Sequence, residues 1–159
     1  MLSIPETCFP VNLLAPAADA GGRTSAVYPS LKNAVKAWIV FYTTQGAANT
    51  ILLTPVQATN VAGLGTKVLA NVVPIWANLD VAASDAIPKT TSAVNYTTDA
   101  GVKNKIVVFE IDPANLDLAN GFDCIGLTTG ASAAANITSA LLFIQPAVKG
   151  ANQPSYIAN

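Results

Sequence analysis

Four acidic residues lie close together in the sequence: Glu110, Asp112, Asp117 and Asp123. A cluster of carboxylates can bind Ca²⁺, which takes several oxygen ligands. The EF-hand spacing that starts at position 112 would need acidic or Asn residues at 114 and 116, where this chain has Ala and Leu. The motif therefore fails, and the residues favour a solvated acidic edge built from turns, in which Asp and Asn are common.

The chain contains no histidine, which removes most familiar catalytic sites. Triads of the Ser/His/Asp or Cys/His kind and His-ligated zinc are impossible without it. A carboxylate pair could serve a glycosidase, but Trp38 and Trp76 are the only tryptophans that could stack on a sugar. Ser30 with Lys32 has no supporting motif, and the glycines form no phosphate-binding loop. The sequence predicts no enzyme, no catalytic residue, no cofactor and no metal site.

Two cysteines, Cys8 and Cys124, are too few for a disulfide framework or a metal-ligand spacing. They are expected to be small buried apolar residues. A disulfide between the N-terminal segment and the body is the alternative.

Charged residues make up only 11% of the 159 residues, and the formal net charge is −1. A chain with no basic field is a poor partner for nucleic acid or for an anionic membrane. The charge-free stretches 37–66 and 124–148 are interrupted by Thr, Asn, Gly and Ser, so they do not predict membrane-spanning helices. The N-terminus lacks the basic region of a signal peptide, which predicts synthesis in a cytoplasm.

The organisation of the chain predicts three parts. Residues 1–30 contain Pro5, Pro10, Pro16 and Pro29, which disfavour helices and central strands and predict an extended arm. Such an arm either packs along its own body or reaches a neighbouring subunit. Residues 31–148 carry the strand signals, and 149–159 are predicted to be a C-terminal tail.

The strand signals are short runs of β-branched and aromatic residues. Residues 37–42 predict a strand buried on both faces, with Trp38 in the core, and 45–49 predict a hairpin loop before a returning strand at 50–54. Further strands are expected within 67–76, near 94–98 and at 105–112, where alternation places Ile106, Val108 and Glu110 on one face. Residues 122–128 and 138–145 predict a last pair of strands.

About seven short strands without a long amphipathic helix predict an all-β fold, an antiparallel β-sandwich or a jelly-roll-like barrel. The extended N-terminal arm would lie outside its core.

Several segments together resemble a group of small, largely uncharacterised virion proteins of tailed phages and prophages. The residues that carry the resemblance, spread over about 20–145, are 22–24 (GRT), 30–41 (SLKNAVKAWIVF), 44–46 (TQG), 56–63 (VQATNVAG), 105–113 (KIVVFEIDP), 121–125 (GFDCI), 129–132 (TGAS) and 135–140 (ANITSA).

The resemblance implies a virion structural protein, and in particular a capsid decoration (cement) protein that binds the major capsid protein lattice. Its expected partners are the major capsid protein and neighbouring copies of itself, as a homo-oligomer on the capsid surface, with no nucleic acid and no membrane. One alternative is a head–tail connector or tail structural protein. A second is a carbohydrate-binding β-sandwich on the virion surface, for which Trp38, Trp76 and the tyrosines would have to form an exposed platform.

Overall fold

The computed structural model describes residues 3–148 and 155–158 as two antiparallel β-sheets packed face to face. The strands are β1 (Phe9–Ala18), β2 (Arg23–Thr24), β3 (Ala34–Gln45), β4 (Leu52–Ala58), β5 (Lys67–Val68), β6 (Ile75–Asn78), β7 (Tyr96–Thr97), β8 (Asn104–Ile111), β9 (Cys124–Thr129) and β10 (Asn136–Pro146). A single helical turn, α1 (Ile4–Thr7), precedes β1, and two short 3₁₀ turns, Pro113–Asn115 and Leu118–Asn120, lie between β8 and β9. The all-β antiparallel sandwich that the sequence predicts is confirmed.

The first sheet, sheet A, has the strand order β1-β10-β3-β8-β6. The second, sheet B, has the order β2-β9-β4-β5, and β7 also pairs with β4. The long strands β3, β8 and β10 lie side by side at the centre of sheet A, in continuous antiparallel register from Ala37↔Ile111 to Thr44↔Asn104 on one side of β3. These three strands fix the geometry of the whole sheet.

The core lies between the sheets because side chains alternate along each strand. In β8, Val107, Phe109 and Ile111 are fully buried, whereas Ile106 and Val108 point outward and remain partly exposed, so the two alternating faces that the sequence predicts are confirmed. Ile39 and Phe41 of β3 complete the same layer. Burying each large side chain of this kind contributes about 1.5–3 kcal/mol, so the inner face stabilises the sandwich strongly.

Two strand pairings predicted from the sequence are wrong. The segment after Gln45 does not form a hairpin, because β3 belongs to sheet A and β4 to sheet B. Strands β9 and β10 are likewise in different sheets: β9 pairs with β4, and β10 pairs with β3 and β1. Both connections cross the edge of the sandwich, and an apolar run has the same pattern whether the next strand lies beside it or opposite it.

The N-terminal segment is partly built into the sandwich. Residues Phe9–Ala18 pair with β10 as an edge strand, with register shifts between Asn12 and Leu14 and between Leu14 and Ala17. Leu13 and Leu14 are buried in the core, so this stretch packs along its own body. Of the predicted tail, residues 149–154 and 159 lie outside the described residues, whereas Tyr156 is buried against Phe9 with ring centroids 5.6 Å apart.

Candidate interaction surface

The outer face of sheet A, which points away from the core, is apolar over four neighbouring strands. Its members are partly exposed side chains that alternate with the buried ones along β3, β6, β8 and β10: Trp38, Val40, Tyr42, Trp76, Ile106, Val108, Leu141 and Phe143. We call these eight residues the outer apolar face. Tyr42 is 39% exposed and Leu141 is 42% exposed. The solvated face of an antiparallel sheet usually carries polar side chains instead.

The strand register makes this face contiguous. Leu141 lies opposite Val40, Val40 opposite Val108, and Val108 opposite Trp76, which forms one row across four strands. Phe143 opposite Trp38 and Ile106 opposite Tyr42 form the neighbouring rows. With strands about 4.8 Å apart and side chains of one face about 6.8 Å apart along each strand, the eight residues cover roughly 260 Å² in projection. Contiguous apolar surface on a soluble protein is a candidate interaction site.

Few charges border the outer apolar face, and those that do are paired or lie over a ring. At one end, Lys36 Nζ donates to Glu110 Oε1 at 2.6 Å, and this hydrogen bond raises the pKa of the Lys36 ammonium group. At the other end, Lys89 Nζ lies 5.5 Å from the centroid of the Trp76 ring. Lys36 and Glu110 neutralise each other, whereas Lys89 keeps its positive charge, so the face is mostly apolar and carries a cation at the Trp76 end.

The edges of both sheets are poor templates for further strands. Strand β1 carries Pro10 and Pro16 and two register shifts, features that protect edge strands. Strand β6 is covered by the segment 88–93, where Thr90 N–H donates to Ile75 O at 2.8 Å. The edge strands of sheet B, β2 and β5, are two residues long. The chain thus exposes an apolar face while its edges are short or blocked.

A buried lysine lies below the loop that joins β7 to β8. The side chain of Lys105 is 0% exposed and donates to Gln45 Oε1 at 2.9 Å, to Asp99 O at 2.8 Å and to Asp99 Oδ1 at 2.5 Å. The hydrogen bond from Lys105 to the Asp99 carboxylate, together with that from the backbone N–H of Gly101, lowers the pKa of the Asp99 carboxyl. With three acceptors in place the ammonium group is fully occupied, which makes it a structural anchor for the loop.

A second polar cluster joins the end of β1 to β9 and β10. Asp19 is fully buried, and its carboxyl oxygens accept hydrogen bonds from the hydroxyls of Thr129, Ser132 (2.8 Å) and Thr138 (3.5 Å). Arg23 Nη1 donates to the backbone oxygen of Thr138 at 2.5 Å. These bonds connect residues more than a hundred positions apart and hold the N-terminal strand against the sandwich.

A surface cleft of about 520 Å³ lies beside the loops around Asp80 and Gly101. Lys103 Nζ lies 2.5 Å from Asp80 Oδ2 at its wall, and this bond lowers the pKa of the Asp80 carboxyl and raises that of the Lys103 ammonium group. The rest of the lining includes small side chains such as Ala83 and Ser84. Each charge in the cleft is already neutralised by its partner, so the cleft presents no activated group.

The four acidic residues singled out from the sequence serve separate contacts. Glu110 pairs with Lys36, the Asp112 carboxylate accepts from the backbone N–H of Ala114 at 2.9 Å, and Asp117 pairs with Lys67. Asp123 accepts from Ser30 Oγ at 3.3 Å. Within residues 3–148 and 155–158, no three Cys, Asp or Glu side chains come together as a metal-binding group.

Trp38 does not lie in the core, contrary to the sequence prediction. It is on the outer face of β3, half-buried among its neighbours, while Ala37 and Ile39 point inward. The prediction is wrong because the run 37–42 is apolar on both faces, and a two-faced apolar run is typical of a strand covered on both sides. The apolar residues at both odd and even positions of 37–42 are also the feature of the sequence that indicates an apolar outer face.

Both cysteines are free thiols in the described part of the chain. Cys124 is buried, and burial together with the neighbouring Asp123 carboxylate raises the pKa of its thiol to about 12. A thiol with so high a pKa is inert as a nucleophile at neutral pH. Cys8 is half-buried beside the start of β1.

Comparison with family models, with curated proteins and with solved structures finds no match to this chain. Among the described residues, no helix has the length and apolar character needed to cross a membrane.

Proposed function

We propose that this protein is a virion structural protein, a capsid decoration (cement) protein that binds the major capsid protein lattice of a tailed phage. In this role it is made in the host cytoplasm and occupies the capsid surface in many copies, in contact with neighbouring copies of itself. Its function is to add contacts between subunits, which requires no catalytic group.

The observation that carries the proposal is the outer apolar face. Interface cores are depleted of charge and enriched in aromatic residues, and this face combines Trp38, Tyr42 and Trp76 with aliphatic neighbours. Most of the face is apolar, so the main desolvation cost comes from the Lys36–Glu110 pair and Lys89 at its ends. A face of this kind is most stable when another protein covers it.

Repetition makes such contacts effective. A surface lattice presents the same binding site many times, and linked weak contacts give an avidity far above that of one contact. The low charge of the chain, 11% of its residues, also lets copies approach one another without strong repulsion.

Quantitative mass spectrometry of purified particles tests this function. We expect on the order of hundreds of copies per particle, as repeated occupancy of a capsid lattice requires. About six or twelve copies would instead assign the chain to a connector or tail ring, the alternative that the phage resemblance leaves open. Absence of the chain from purified particles would refute a virion role.

One observation favours a second candidate, a carbohydrate-binding sandwich on the virion surface. Trp38, Tyr42 and Trp76 share the outer face of sheet A, and aromatic rings on a flat sheet face can stack on sugar rings. Saturable binding on a glycan array that Trp76→Ala abolishes would favour this candidate over the decoration protein.

A further inference from the structure

We propose that residues 155–158 form a releasable cover over the edge of sheet B, which docks and detaches while the rest of the sandwich stays folded. We call these four residues the C-terminal strap. Its anchor is Tyr156, whose side chain is only 3% exposed. The device belongs to the single chain and does not depend on the proposed function.

The strap occupies a backbone donor at the edge of sheet B. Ser30 forms an antiparallel bridge with Cys124 at the start of β9, and the next amide, that of Leu31, donates to Asp123 O at 2.7 Å. Successive amides of an extended segment point to opposite sides, so the amide of Ser30 points away from β9. It donates to Tyr156 O at 2.9 Å. Release of the strap therefore frees the Ser30 donor and leaves the pairing with β9 intact.

The hydroxyl of Tyr156 is buried without a hydrogen-bond partner. In the described part of the chain, no other buried side-chain oxygen or nitrogen is in this state. The ring gains free energy by burial, with its centroid 5.6 Å from that of Phe9. The unpaired hydroxyl costs free energy of a similar size, because it gives up its bonds to water and receives none in return. The two contributions oppose each other, so the docked strap is only weakly favoured.

Little else holds the strap among the described residues. Ser155 Oγ accepts from the backbone N–H groups of Ile157 and Ala158 at 3.3 and 3.1 Å, and both bonds lie inside the strap. Ile157 is 47% exposed and lines a cleft of about 420 Å³ between β1 and residues 23–27, so the strap borders open space. Segments with few buried contacts open locally at a lower free energy than the core.

Hydrogen exchange of two neighbouring amides, measured by NMR on the full chain, tests the strap. The Ser30 amide exchanges when the strap is released, whereas the Leu31 amide, bonded to Asp123 O, exchanges when the sandwich itself opens. We expect the protection factor of Ser30 to be lower than that of Leu31 by about tenfold or more. Equal protection of the two amides would overturn the proposal, because the strap and the sandwich would then open together.

Tyr156→Phe removes the hydroxyl and keeps the ring. We expect this variant to raise the protection factor of Ser30 by about fivefold or more, because the docked state no longer contains an unpaired hydroxyl. An unchanged or lower value would show that the hydroxyl has a partner, such as a buried water, and would refute the weak docking. Tyr42→Phe is the matched control: Tyr42 is 39% exposed on the outer face of sheet A, and its substitution should leave the protection of Ser30 unchanged.

Tyr156→Ala removes the anchor itself. We expect the Ser30 amide to lose its protection, while the Leu31 amide stays protected and thermal unfolding remains cooperative. Protection of Ser30 that survives this substitution would show that Tyr156 does not hold the strap. Loss of protection at both amides together with the cooperative transition would place Tyr156 in the core on which folding depends, and it would refute a releasable strap.

Discussion

Lys105 places a positive charge inside the sandwich, where an unpaired ammonium group would be costly. The cost is offset because Gln45 Oε1, the backbone oxygen of Asp99 and the Asp99 carboxylate all accept from it. Asp99 itself is half-exposed, with 53% of its side-chain surface accessible. The pair therefore joins a buried cation to an anion that solvent can still reach.

Replacing Asp99 by Asn should lower the free energy of unfolding at neutral pH by about 1–2 kcal/mol, a value reduced from that of a fully buried pair because solvent screens the carboxylate. The Lys105 hydrogen bond lowers the pKa of Asp99 in the folded state, so its stabilising contribution is present above the unfolded-state pKa and is lost as the pH falls through the folded-state pKa. Urea unfolding at pH 7 and at about pH 3 or below measures the difference between wild type and variant, which should shrink at the lower pH.

Asp85→Asn is the control for this prediction. Asp85 is exposed and has no ion-pair partner in the described part of the chain, so its substitution should change the stability little at either pH. A penalty for Asp99→Asn that is the same at both pH values would show that the charge of Asp99 does not contribute.

At the scale of the elements, the sequence predicted the strands better than their partners. The alternation of residues 105–112 identified β8 and its two faces, because a strand with distinct inner and outer residues leaves a period of two in the sequence. The pairings of β4 and β10 were not predictable in this way, since each follows a loop that crosses from one sheet to the other. Local patterns record burial, whereas the choice of sheet depends on contacts between distant segments.

The outer apolar face could not be predicted from the sequence, for a related reason. The run at 37–42 is apolar at odd and even positions, which indicates burial on both sides but does not identify the second cover. Trp38 was therefore expected in the core of the chain itself, whereas the structure leaves it on an outward face. The two-faced apolar pattern gives the character of both faces of β3 but not what lies against the outer one.

Strand β1 gives the prediction that belongs to this scale. A deletion of residues 1–8 removes α1 and ends before β1, so the sandwich should keep a cooperative unfolding transition within a few degrees of the wild type. A deletion of residues 1–20 removes β1 and the buried Asp19, and it exposes Leu142 and Ile144 of β10 along a new edge. We expect the longer deletion to lose the cooperative transition in thermal unfolding followed by circular dichroism.

The two deletions control for each other, since both shorten the same terminus. Equal stability of the two variants would mean that β1 is an accessory arm rather than part of the sandwich. The extended arm predicted for residues 1–30 would then describe this segment better than an edge strand does.

At the scale of the whole molecule, the low charge and the two-faced strands have one explanation. Both sides of sheet A are largely apolar: the inner side packs on sheet B, and the outer side carries Trp38, Tyr42 and Leu141. A solitary domain would gain solubility from charges at those outward positions. Their absence is understandable if the molecule works while covered by other subunits, which is the central claim of the proposed function.

Cryo-EM reconstruction of the intact particle tests that claim most directly, because it shows the location of each copy and what lies against sheet A. We expect density for this chain repeated over the capsid surface, with Trp38, Tyr42 and Leu141 covered by protein. Copies whose outer apolar face is open to solvent, or a particle in which no density fits this chain, would contradict it.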